Sequence, residues 1–183
     1  MAVSTTHTEA LKQAPEAGYT AGQQLIAFAE ALLVSAWLGS MIFFSFAVAP
    51  GAFAALPTRE LAGKMVTSAI SKVELMGLII GPLLILIQLS AWRGRRLPSG
   101  AKSLRLILLC VMLAMAALSR YWVSAKMVSL RLAMGGLIDD VPATDPLRVE
   151  FNDLHRFSVW FMGTAMLAGL AVLFLTVRSW LRR

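Results

Sequence analysis

From Leu32 to Val48 the chain carries no charged side chain. The run holds Trp37, Phe43, Phe44 and Phe46 with small residues between them, and it meets Ala49-Pro50-Gly51, where a helix is expected to stop. Together with Leu25 to Ala31 it is long enough to cross a bilayer, which takes ~20 residues. A soluble domain has no use for a stretch of this kind, so the chain is read first as a membrane protein.

Composition agrees. Hydrophobic residues make up 58% of the 183 residues, against ~45–50% in soluble domains. The excess is gathered into four blocks, at about 25–48, 73–92, 104–125 and 154–177. The expected fold is an all-α integral membrane protein. It is a four-transmembrane-helix bundle with a short interfacial amphipathic helix between spans 1 and 2. Residues 1–22 are expected to be a disordered cytoplasmic tail and 23–183 one membrane domain. The net charge is +7. In a soluble chain that would suggest a nucleic-acid partner, but here the basic residues flank apolar blocks. The positive-inside bias explains them, and no nucleic acid is expected. The single cysteine, Cys110, excludes an internal disulfide. No cleaved signal peptide is evident, because the first apolar block exceeds the ~7–15 residues of a signal core.

In the first span, Glu30, Val34, Trp37, Met41, Phe44 and Val48 share a helical stripe. Ser35 and Gly39 form a small-xxx-small pair for close helix approach. Between the spans, Thr58 is placed to cap a helix. Leu61, Met65, Ala69 and Val73, with Val66 and Ile70 beside them, give that helix an apolar side for the membrane surface. The second span contains Gly77 and Gly81 as a GxxxG pair, then Pro82, where a kink is expected. Ala165 and Gly169 repeat the small-residue spacing in the fourth span.

Arg93, Arg95, Arg96, Lys102 and Arg105 load the turn between spans 2 and 3 without one acid. Arg178, Arg182 and Arg183 end the chain. Both basic regions are therefore expected on the cytoplasmic side of a bacterial inner (plasma) membrane, together with the N-terminus. The segment 137–153 is expected to be an acidic outer loop. Its carboxylates do not follow calcium-loop spacing.

A resemblance then becomes visible. Trp37-Leu-Gly39, Phe43-Phe44-x-Phe46, Val48-Ala49-Pro50, Phe53 and Leu56 resemble the transmembrane protein 205-like family, in bacteria the domain of unknown function 4149. Leu61-Ala62-Gly63 and Phe151-x-x-Leu154-His155-Arg156-x-Ser158 agree with it. The resemblance implies a four-helix membrane domain with no settled biochemical activity. The layout is more distantly similar to copper-resistance D-like proteins and to a four-span haem-pathway oxidase. That oxidase carries a histidine in its first span, and this chain has none there.

Several side chains are candidates for function. Glu30 lies inside a span and is a site candidate on that ground. It is also readable as a structural carboxylate that contacts Arg105, Arg178 or Gln88. Arg120 lies where the third span is expected to leave the hydrocarbon. His155, Arg156 and Ser158 open the last span, where they suit either a site or the membrane interface. His155, Met162 and Met166, with Cys110, Met112 and Met115, are of the types that ligate soft ions such as Cu(I). Methionine is also the ordinary gap-filler of apolar cores. No catalytic motif is present and no cofactor is expected, with haem or Cu(I) as alternatives. The expected partners are the bilayer and a second copy or another membrane subunit. The leading function is a non-catalytic bundle, an assembly partner, or a transport or stress-tolerance component. A redox or haem-pathway enzyme and a soft-metal transporter are the alternatives.

Overall fold

A computed structural model describes residues 20–90, 99–135 and 138–181. The described residues are helical almost throughout and contain no strand. Helix α1 spans Ala21–Phe43, runs through a π turn at Phe44–Val48 and continues as α2, Ala49–Ala55. Helix α3 is Arg59–Ser90 and α4 is Ser99–Leu118. A second π turn, Ser119–Ser124, joins α4 to α5, Ala125–Ala133. A 3-10 turn at Ile138–Asp140 precedes α6, Pro146–Leu181. Four continuous helical runs, Ala21–Ala55, Arg59–Ser90, Gly100–Ala133 and Pro146–Ser179, are long and apolar enough to cross a membrane. The chain is a multi-pass membrane protein built as a four-span bundle.

Local signals set the ends. Thr20 caps α1 in a reciprocal capping box with Gln23. Thr58 accepts from the Leu61 N–H at 3.2 Å and so opens α3. Asp145 accepts from the Leu147 N–H at 2.8 Å at the start of α6. Gly135, at φ 75°, follows the end of α5 in the left-handed region that side chains avoid.

Three expectations change. Pro50 does not stop the first helix, which continues to Ala55. The π turn just before it widens the backbone, and that makes room for a ring which would otherwise strike the carbonyl four residues back. There is no separate surface helix between spans 1 and 2. Arg59–Ser90 is one helix that continues through Pro82. Its first turns bury Ala62 and Gly63, whereas Leu61 and Met65 are exposed. The acidic loop is also shorter than expected, because Arg148, Glu150 and Asp153 already belong to α6. The basic residues Arg93, Arg95 and Arg96 and the N-terminal tail lie outside the described residues.

The core draws on all four spans. Val34, Trp37, Leu38 and Met41 of α1 pack with Ile80 and Leu84 of α3, Leu109 and Met112 of α4, and Ala165, Ala168 and Val172 of α6. A second cluster, Val123, Leu130, Phe151 and Leu154, seals the span 3–span 4 end. Small residues decide where the helices meet. A Cβ at Gly77 would lie 2.7 Å from the Trp37 indole, and one at Gly81 would lie 3.0 Å from Leu113. Gly169 sits under Met112 and Leu38, and Ala165 is buried beside it. The Ser35–Gly39 pair does not pack within this bundle. Both residues are exposed, and nothing lies within 4 Å of a Cβ at Gly39. The stripe through Val34, Trp37 and Met41 already fills the inward side of α1, so the small pair points outward. Phe28, Phe43, Phe46, Ile79, Leu86, Trp160, Leu167 and Phe174 are likewise exposed. A bundle whose surroundings are lipid is expected to look this way.

Candidate functional site

Polar groups enter the apolar interior at two levels. The first is the end where span 1 begins. Glu30 and Arg105 form an ion pair there, and each side chain is 1% exposed. Gln88 of α3 is buried beside them and donates to the Lys102 carbonyl at 3.4 Å. Three helices thus place one carboxylate, one guanidinium and one amide at the same depth. Thr176 and Ser179 of α6 are buried too, but their hydroxyls donate to the carbonyls of Val172 and Thr176 in their own helix. Arg178 is exposed.

The second level lies toward the other end. Glu74 of α3 is 3% exposed. Its Oε1 accepts from Ser119 Oγ at 2.6 Å and from Ser124 Oγ at 2.8 Å. Residues five apart would point ~140° away from each other around an α-helix. The π turn between them rotates both hydroxyls to one side, so a single carboxylate oxygen receives both. Oε2 has no hydrogen-bond partner. Glu74 borders a void of about 20 Å³ lined by Trp37, Met41, Met115, Ser119, Phe161 and Met162 among others, room for about one water molecule. Arg120 turns aside and donates to the Ser71 carbonyl and hydroxyl, each at 3.0 Å.

Next to this level opens a cavity of about 530 Å³. The first π turn and α2 form one wall, with Phe44, Ser45, Phe46, Pro50 and Phe53. Val66, Thr67 and Ile70 of α3 form the second. Ser124, Met127, Val128 and Arg131 form the third, and α6 closes the space from Phe151 through His155, Ser158 and Met162 to Met166. Most of this lining is apolar. Arg131, His155 and four hydroxyl side chains at positions 45, 67, 124 and 158 are the exceptions. Ser124 and Met162 belong to both levels, since Ser124 bonds Glu74 and Met162 borders the small void.

The residues singled out from sequence therefore fall into separate places. Glu30 and Arg105 come together, and Gln88 bonds the backbone one turn before Arg105, at Lys102. His155, Ser158, Met162 and Met166 line the large cavity, and Met115 borders the small void. Met112 is fully buried in the core, while Cys110 is exposed, so these two do not join the α6 methionines in one ligand set. Arg156 is exposed and pairs with Asp153 one turn away. Among the described residues no three His, Cys, Asp or Glu side chains gather as a metal-binding group.

Two residues central to this geometry were passed over by the sequence reading. Glu74 sits at the edge of the second apolar block, and an intramembrane carboxylate is a candidate by type alone. Arg131 follows Arg120 and Lys126 along the end of the third span, and nothing in its neighbours along the chain announces a cavity.

A family model for a domain of unknown function, DUF4149, matches residues 32–135, more than half of the chain. The chain belongs to the DUF4149 family. The matched segment carries Glu74, Gln88, Arg105, the second π turn and Arg131. Glu30 precedes it, and α6, which supplies the fourth cavity wall, follows it. No curated protein and no solved structure matches the chain.

Proposed function

We propose that this DUF4149 member is a non-catalytic membrane protein of the transmembrane protein 205-like type. It takes a membrane-dissolved, largely apolar molecule into the cavity beside Glu74, as a transport or stress-tolerance component. The observation that carries this reading is the cavity itself. Its volume of about 530 Å³ falls in the ordinary range of ligand sites. Both π turns of the described chain border it, through Phe44–Phe46 and Ser124, and such turns recur at functional positions.

Gly163 supplies the test. It lines the cavity, and a Cβ there would meet nothing within 4 Å. Gly163→Phe is expected to fill the space while the bundle stays folded. Detergent-solubilised wild type should bind an uncharged hydrophobic fluorophore, and the Phe variant should bind it at least about tenfold more weakly, the scale of a lost apolar side-chain contact. Equal binding by both, with unchanged circular dichroism, would remove the reading. A Soret band in the purified protein would replace it with haem chemistry.

We further infer an orientation in the bacterial inner membrane with both termini and the basic 2–3 turn in the cytoplasm. The support is the run of arginines in that turn and at the C-terminus. In intact cells, Ser99→Cys should resist an impermeant thiol reagent and Thr144→Cys should react, with Cys110 removed from both. The opposite pattern reverses the orientation.

A further inference from the structure

Resting on the cavity reading above, we propose that the ligand is a single-chain amphiphile with an acidic head, a carboxylate or a phosphate. The head is bound at Arg131, and the chain runs along α6 toward Met166. Arg131 is two residues from the end of α5 and lines the cavity. Its guanidinium lies over the Phe151 ring, 5.7 Å from the centroid. Gly63 of α3 also makes room for it, since a Cβ there would come within 3.0 Å of Nη2. The planar group thus packs against an aromatic ring and a bare stretch of helix backbone.

Among the described residues, no carboxylate stands within ion-pair distance of Arg131 and no acceptor takes a hydrogen bond from it. Three acids at this end are engaged elsewhere. Glu60 lies near enough to act on Arg131 through space, yet it bonds Lys64 at 2.5 Å. Glu150 pairs with Lys126, and Asp153 pairs with Arg156. A half-buried cation at the mouth of an apolar cavity, its donors still available, is matched by an anion that brings its own apolar tail. The fork of N–H donors suits a carboxylate or phosphate bidentately. His155 and Ser158 add polar atoms to the same lining.

Apart from Ser45, Thr67 and Ser124, the rest of the lining is apolar. From His155 to Met166 the α6 wall runs roughly 17 Å at the α-helical rise. An extended hydrocarbon chain can lie along a wall of that length.

The probes are oleate, oleoyl-lysophosphatidate and oleyl alcohol, added to delipidated protein in nonionic detergent at alkaline pH, where both acidic heads are ionised. Wild type is expected to bind at least one acidic probe about tenfold or more tighter than oleyl alcohol, as for a charge-assisted contact. Arg131→Gln should erase that preference without weakening oleyl alcohol. Arg131→Lys, which keeps the charge, should retain most of it. Whichever acidic probe binds tighter identifies the head. If wild type and Arg131→Gln bind acidic probes and alcohol alike, the head-group site is overturned and the cavity reading stands. If no probe binds to wild type, both fall.

Discussion

Glu30→Leu is expected to destabilise the solubilised bundle by about 3–5 kcal/mol, the usual cost of breaking a buried ion pair from one side. Both partners are 1% exposed, so Arg105 would be left with a charge that water cannot reach. The loss should appear as a lower midpoint in thermal unfolding followed by circular dichroism. Removing both charges tests the cause. Glu30→Leu combined with Arg105→Met should recover most of the loss, because the stranded charge and not the missing attraction dominates the penalty. Glu30→Gln should fall between, since it keeps an acceptor for Arg105 while removing the opposite charge. If Glu30→Leu melts with wild type, the pair is solvated in practice and does not fix how spans 1 and 3 meet.

The second large effect is steric. Gly77→Leu places atoms where the Trp37 indole already lies, with the first of them 2.7 Å from the ring. Trp37 is 1% exposed and surrounded by the central core, so it has little room to move. Overpacking of this kind costs about 1–3 kcal/mol, occasionally more. Gly39→Leu is the control. It makes the same chemical change on an exposed helix face with nothing within 4 Å, and it should leave the unfolding midpoint unchanged or higher. Should the two variants melt alike, α1 and α3 would not meet through Trp37 and Gly77.

Much of this was legible in the chain. Four charge-poor apolar blocks dictate four helices, because a backbone in hydrocarbon must satisfy its own hydrogen bonds. The period of Glu30, Val34, Trp37 and Met41 marks the buried side of the first helix. The level of Glu30 relative to Arg105 and Gln88 also follows from counting residues in antiparallel spans. Membership in DUF4149 is likewise a property of the sequence.

Other features were decided only by the tertiary structure. Inward and outward small-residue pairs look identical in sequence. Gly77 packs and Gly39 does not because Trp37, on the inward stripe of α1, has to lie against something. The π turns are also invisible to a helical period, since they shift the phase that the period assumes. Without the second one, Ser119 and Ser124 could not share Glu74, and the sequence offers no local sign that they do. The cavity is the clearest case. Its walls come from residues more than a hundred positions apart, Phe44 to Met166. A void has no sequence of its own; it exists only where walls from all four spans leave space between them, and Arg131 is one of the residues brought to it.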